Sequence, residues 1–252
     1  IIDAVYEVVF ISSSPNPSDK SFSFTIGDAN YLPSTEHFYV YYSEPGITWP
    51  AARDAAEDSN YYGLQGYLAT ILSEEENQIA AVQINDVGWI GASDVDNEDD
   101  WRWVTGPEGL LNNGDGLPFW FGEGTNQGGA PVNGQYSNWN GEVEPNDSGN
   151  EDYAHVTSPN VGQVGTWNDL DSDGDGNDPT SNYYPKGYIV EYGGMPGDPE
   201  LNLSSSTSLS APPIVTVEPF VGVDCALISL SASSDDEDGS VYWFEAENGG
   251  DS

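Results

Sequence analysis

The run Glu144-Pro145-Asn146-Asp147-Ser148-Gly149-Asn150-Glu151-Asp152 crowds carboxylates and side-chain amides round one proline, and Trp167-Asn168-Asp169 adds another amide and carboxylate. Oxygen donors in this density suit a hard cation, because calcium takes about six to eight oxygen ligands from carboxylates, amide carbonyls and water. Glu144, Asn146, Asp147, Glu151, Asp152, Asn168 and Asp169 offer that set within one reach of chain. The competing reading is an acidic, solvated surface loop.

Charge sharpens the choice. Four Lys and Arg against 43 Asp and Glu leave a formal charge of -39, a self-repelling field that bound cations would relieve. Nucleic acid and anionic membrane surfaces are therefore poor partners. No run of about eighteen apolar residues exists, so no membrane insertion is expected. Cys225 is the only cysteine, which excludes an intrachain disulfide and leaves stability to packing and metal. Eight Trp, fifteen Tyr and eight Phe supply enough apolar area for an ordinary core. The opening Ile1-Ile2-Asp3 has neither an initiator Met nor a signal-peptide pattern, so the chain reads as processed or excised.

The acidic motifs need elements to hold them. Val5 to Ile11 and Phe22 to Ile26 read as two strands across a turn-rich loop, and His37 to Tyr42 as another. Thr48 before Trp49-Pro50-Ala51-Ala52 signals a capped helix that stops by Asn60. Ser73 with Glu76 three residues on is a capping-box pattern, predicting a second helix through Val82, and Gly66 to Ile71 between them reads as a short strand. From Trp89 to Tyr184, Gly, Asn, Asp and aromatic residues dominate. Trp101, Trp103, Phe119, Trp120, Phe121, Trp139 and Trp167 argue for an ordered loop region rather than a linker. Gly187 to Tyr192 reads as a closing strand. Gly193 to Pro199 has turn chemistry, predicting a domain boundary with a linker over 194–200. Beyond it, residues 201–252 carry strand-like runs at Ile214 to Val217, Leu227 to Leu230 and Val241 to Phe244, too few for the roughly seven strands of a sandwich. A partial immunoglobulin-like segment is expected there, and residues 1–35 are expected to form a β-rich extension packed on the main domain.

The order strand, two helices, Trp89-Ile90-Gly91, Trp101-Arg102-Trp103, Trp139, Glu144-Pro145-Asn146, Trp167-Asn168-Asp169 and closing Tyr188 to Tyr192 resembles the C-type lectin-like domain over about residues 36–193. The resemblance implies an α+β fold with two helices, small antiparallel sheets and a long calcium-binding loop region. It implies a principal calcium held by Glu144, Asn146, Glu151, Asn168 and Asp169, the same residues that would bind carbohydrate. The Glu-Pro-Asn form implies mannose-type vicinal diols, and the Glu144-Pro145 bond is expected to be cis. It implies an auxiliary calcium at Asp94, Glu98, Asp147 and Asp152, with Asp96, Asp99 and Asp100 as competing registers. The missing disulfides imply a bacterial version.

A third acidic cluster follows Trp167-Asn168-Asp169. Asp171-x-Asp173-x-Asp175-Gly176 matches the start of an EF-hand loop, but Asn182 stands where that loop carries its bidentate Glu. Asp171, Asp173 and Asp175 read either as an extra calcium site or as a solvated loop. Leu110 to Gln135 is longer and richer in Gly than a minimal domain needs, long enough to reshape or cover a sugar site. His37 and His155 lack any nearby nucleophile pattern and read as structural, so no catalysis is expected. The combined expectation is a calcium-dependent, carbohydrate-binding module of a larger secreted or cell-surface adhesin. The alternatives are a calcium-rigidified scaffold that binds protein or another surface, and an accessory region of a carbohydrate-active enzyme.

Overall fold

The computed structural model describes residues 20–24, 29–82, 87–201, 205–209, 215–217 and 232–234. In chain order the strands and helices are β1 (Lys20–Phe24), β2 (Asn30–Leu32), β3 (His37–Ser43), α1 (Trp49–Glu57), β4 (Asn60–Tyr61), β5 (Leu64–Leu68), α2 (Glu74–Asn77), β6 (Gly88–Ser93), β7 (Asp100–Trp103) and α3 (Gly106–Gly109). There follow β8 (Leu117–Phe121), β9 (Ala130–Pro131), β10 (Tyr153–Val156), β11 (Trp167–Leu170), β12 (Gly187–Tyr192), β13 (Ser205–Leu209), β14 (Val215–Val217) and β15 (Ala232–Ser234). Contacts divide the chain into two units, residues 23–206 and residues 1–22 with 207–252. The strand expected at Val5 to Ile11 and those at Leu227 to Leu230 and Val241 to Phe244 lie outside the described residues, as does most of the expected immunoglobulin-like segment. Among the described residues, no helix is long and apolar enough to cross a membrane.

The sheet that carries the site is built on β12. One edge of β12 pairs antiparallel with β3 along its whole length, from Gly187 opposite Ser43 to Tyr192 opposite Phe38. Its other edge is shared: β5 takes Val190 to Tyr192, and β6 meets it in parallel at Tyr188 opposite Trp89. Every residue of β12 is therefore buried, which fits its near-continuous apolar run. From β6 the sheet continues through β7, β8 and β9, while β10 and then β11 branch from the other side of β6. The turn region between Trp89 and Tyr184 is thus anchored on paired strands.

Helix α1 starts as the sequence predicts: the Thr48 hydroxyl accepts from Ala51 N at 3.4 Å with Pro50 in the first turn. The second helix departs from expectation. Ser73 caps Glu76 N, but the Glu76 carboxylate reaches back to Leu72 N at 2.7 Å, one residue beyond the cap. Regular α-helix ends at Asn77, and a wider π turn carries Gln78–Val82. The turn places Asn77 against β11, where its Oδ1 accepts from Trp167 Nε1 at 2.9 Å.

Two aromatic clusters fill the interior. In one, Trp103, Phe119, Trp139 and Trp167 meet at ring-centroid distances of 4.7 to 6.1 Å, several of them edge to face. Trp89 sits in the other and donates its Nε1–H to Ile47 O at 2.8 Å. These tryptophans are core residues that fix the loops. In β8, Phe119 and Trp120 are buried and Phe121 is exposed. Gly91 is required by close packing: a Cβ there would sit 2.6 Å from the Leu68 carbonyl and 1.9 Å from Thr105 Oγ1.

A buried charge knot ties β12 to its neighbours. Glu191, 1% exposed, lies 2.6 Å from His37 Nδ1 and accepts from Tyr39 OH at 3.1 Å and from Thr70 N at 2.9 Å. Burial alone would lower the His37 pKa, but its bond to Glu191 and that residue's charge raise it overall. A raised imidazole pKa stabilises the fold fully below the unfolded value of about 6.5, and the contribution is lost as pH rises through the folded value.

Two outcomes follow for stability. His37→Gln should cost about 1–2 kcal/mol in denaturant unfolding near pH 5.5 and less as pH rises above neutrality; a cost that grows with pH would contradict the ion pair. Gly91→Ala should cost about 3 kcal/mol at any pH, because the new methyl meets the Leu68 carbonyl as well as the Thr105 hydroxyl that is bonded to it.

Candidate functional site

The turn that carries Glu144 is docked on β11 through backbone bonds on both of its sides. Trp167 N donates to Asn138 O at 2.9 Å and Asn140 N to Trp167 O at 2.8 Å, around a parallel bridge between Trp139 and Trp167. Asp169, two residues on and 0% exposed, then fastens the turn itself: its carboxylate accepts from Asn146 N at 2.9 Å and from Asp147 N at 2.8 Å. The Glu144-Pro145 peptide bond is cis, as the sequence predicts. Past it the chain closes on itself, with Glu151 N donating to Asp147 Oδ1 at 2.9 Å and Ser148 N to Glu151 Oε2 at 3.1 Å.

This arrangement brings the predicted principal set together. Glu144, Asn146, Glu151 and Asn168 line one open cavity of about 410 Å³, and Asp169 lies beneath it as the clamp. The Asn146 amide donates to Glu144, and Asn168 Nδ2 donates to Asp169 O at 2.7 Å. With both amide nitrogens engaged, the amide oxygens are the atoms left to ligate a cation. His155, read from sequence as structural, supports this set: it faces Asn168 across the β10–β11 pair, and Asn168 Nδ2 lies 3.3 Å from its Nε2. Burial pushes the imidazole down to about 4, so it is neutral. No local sequence pattern signals that partnership.

Crowding of like charges is visible in the carboxylates themselves. Burial, then the charge of Asp169, pushes Glu151 up to about 7. Burial and the charge of Glu144 push Asp169 up to about 7 against the backbone bonds that oppose the shift. Burial also raises Glu144, with Glu151 adding to it. A divalent cation would offset each shift by favouring the ionised carboxylates.

The predicted auxiliary set assembles beside the first. Asp94 N donates to Asp152 O at 3.3 Å, which joins the two loops. Asp94 is 4% exposed, and its Oδ2 accepts from Asp99 N while its Oδ1 is buried with no hydrogen-bond partner. An orphaned buried carboxylate oxygen is costly unless a cation ligates it. Burial, followed by the charge of Glu98, pushes Asp94 up to about 8. Glu98 and Asp152 are likewise raised, by burial first and then by Asp147. Of the competing acids, Asp100 is taken by Arg102 at 2.7 Å, and Asp99 contributes its backbone N–H to Asp94. Among the described residues, no three His, Cys, Asp or Glu side chains already converge on one metal position. The Glu144 and Glu151 carboxylates instead accept from within the loop, from the Asn146 side-chain amide and the Ser148 backbone N–H. The donor types, the orphaned oxygen and the mutual repulsion all fit calcium.

The third acidic cluster splits. Asp171 and Asp175 face the same cavity as Glu144, whereas Asp173 N folds back to Asp171 Oδ1 at 3.1 Å. Leu110 to Gln135 supplies none of the cavity lining. It forms β8 and β9, and Asn126 N braces Glu142 O at 3.0 Å from behind. The site is therefore open on the side that this segment was long enough to cover.

The family model described as "Lectin C-type domain" matches residues 48–176, half of the chain. The chain belongs to the C-type lectin domain family. The chain is 36% identical over 209 residues to halomucin of Haloquadratum walsbyi, covering 81% of this chain and 2% of that protein. It is 29% identical over 136 residues to a perlucin-like protein of Mytilus galloprovincialis, covering 52% of this chain and 66% of that one. The chain thus spans less than two thirds of either relative. Among solved structures, the mouse scavenger receptor C-type lectin carbohydrate-recognition domain matches at 22% identity and TM-score 0.42, covering 68% of this chain and 98% of that one. A calcium-independent type II antifreeze protein matches at 17% identity and TM-score 0.41, covering 68% and 95%.

The clamp has a direct consequence for the lectin domain. Asp169→Ala should speed hydrogen exchange at the Asn146 and Asp147 amides about 10- to 100-fold, the loss expected for bonds to a carboxylate. Unchanged protection at both amides would show that the turn is held by other contacts.

Proposed function

We propose that the lectin domain binds vicinal diols of mannose-type sugars through a calcium ion held by Glu144, Asn146, Glu151, Asn168 and Asp169, without catalysis. The observation that carries the reading is the open 410 Å³ cavity lined by four of those five residues. A bound calcium ion supplies a site for one lone pair from each of two hydroxyls. The chain's own residues do the rest. Glu144 and Glu151 would accept the hydroxyl hydrogens, and the amide nitrogens of Asn146 and Asn168, once released from Glu144 and from Asp169 O, would donate to the hydroxyl oxygens. Every polar atom of the diol then has a partner, which offsets the loss of its water. Asp94, Glu98, Asp147 and Asp152 would hold an auxiliary ion that stiffens the neighbouring loop. Asp171 and Asp175 remain candidates for an extra ion with Asp173.

The domain is read as one module of a larger secreted or cell-surface protein, an adhesin in which glycans or glycoconjugates are the partners. The small share of halomucin that it spans supports a multidomain parent. The -39 charge supports an extracellular, salt-rich setting and argues against nucleic acid as partner. A single cysteine fits a bacterial version of the fold. A second reading is a calcium-rigidified scaffold that binds protein or another surface; the internal hydrogen bonds that satisfy Glu144 and Glu151 favour it.

Calcium at about a hundred times its dissociation constant should stabilise the domain by about 2.7 kcal/mol in thermal or denaturant unfolding, reversed by a chelator. The two readings separate on Glu144→Gln combined with Asn146→Asp. Mannoside affinity should fall at least tenfold, about 1.4 kcal/mol, or switch toward galactosides. Mannoside binding that survives both substitutions would contradict the proposed site, whereas binding of a protein or other surface that persists in the double variant, with no mannoside bound by wild type, would favour the scaffold reading.

A further inference from the structure

Resting on the carbohydrate reading above, we infer that the loop of residues 171–186 forms a second sugar subsite, with Tyr183 as its stacking platform, so that the ligand is a neutral oligosaccharide of at least two residues. The loop connects β11, which ends at Leu170, to β12, which begins at Gly187. Its residues Asp171, Gly174, Asp175 and Tyr183 line the same cavity as Glu144 and Asn146.

Size is the first argument. A diol gripped at Glu144 and Asn146 uses one edge of one sugar ring, whereas about 410 Å³ lies within the range of pockets that hold a drug-sized ligand. Preorganisation is the second. The loop is pinned at separate points to the rest of the domain: Trp49 N donates to Ser172 O at 2.8 Å, Gly46 N to Pro185 O at 2.8 Å, and Asn160 Nδ2 to Asn182 Oδ1 at 3.3 Å. Within it, Asp175 N donates to Tyr183 O at 3.0 Å, which ties together two backbone segments whose residues both line the cavity. Chemistry is the third. Tyr183 is 40% exposed although it borders a cavity, and an amphipathic ring beside carboxylates suits a sugar: its face covers the C–H surface while carboxylates accept from the hydroxyls. Asp171 and Asp175 would repel an acidic second sugar, which makes a neutral residue the fitting occupant.

The test is calorimetric titration of the full chain in calcium with methyl α-mannoside and with α1,2-, α1,3- and α1,6-linked mannobiosides, for wild type, Tyr183→Ala and Tyr183→Phe. At least one mannobioside should bind wild type about 5- to 30-fold tighter than the monosaccharide. Tyr183→Ala should remove that gain while leaving monosaccharide affinity within about twofold, and Tyr183→Phe should keep it. Equal losses for mono- and disaccharide in Tyr183→Ala, or no loss for either, would overturn the subsite alone. No mannobioside gain in wild type overturns it as well. A wild type that binds none of these sugars in calcium overturns the underlying carbohydrate reading together with the subsite. Circular dichroism of the Tyr183→Ala protein separates misfolding from lost stacking, and Tyr183→Phe decides the case if the alanine variant misfolds.

Discussion

Asp169 holds the site together. It is a fully buried carboxylate whose backbone partners come from a distant turn, so strand β11, together with the turn's own bonds, sets the position of Asn146 and Asp147. Burying such a group costs several kcal/mol unless hydrogen bonds and opposite charge surround it. The clamp therefore works only because Trp167, two residues earlier, locks β11 into the aromatic core and binds Asn77 on the far side. Three consecutive residues thus divide three jobs: Trp167 anchors, Asn168 faces the cavity with His155 behind it, and Asp169 grips the turn.

The same residues explain how a chain with so few cations folds. Acids on the surface are solvated and screened, but acids inside need partners. Glu191 finds His37, Tyr39 and Thr70, a set assembled from β3, β12 and the segment after β5. Around Asp94 and Glu151 the partners are fewer, and burial with mutual repulsion pushes both carboxyls up. The proposed cation site is where, among the described residues, the packing leaves buried negative charge poorly compensated.

Much of the site was legible in the sequence because its signals are local. Glu144-Pro145-Asn146 and Trp167-Asn168-Asp169 name their residues by type and spacing, and Thr48 and Ser73 mark helix starts through hydroxyl caps. The hidden part depends on pairing between distant segments. Nothing near Glu191 announces that β12 has three neighbours, and His155 meets Asn168 only through strand register. The second helix gives way to a π turn just after Asn77, which accepts from Trp167 of β11, a long-range contact that a capping box cannot reveal. The cavity wall at Tyr183 was equally invisible, since an acidic loop reads as solvent-facing until its anchors on Trp49 and Gly46 are known.

The most direct measurement is a crystal structure of the domain grown with calcium and methyl α-mannoside. The account predicts an ion bound by Glu144, Asn146, Glu151, Asn168 and Asp169, with two vicinal sugar hydroxyls in its coordination shell. An ion there whose ligands all come from the protein, or a sugar bound away from that ion, would contradict it.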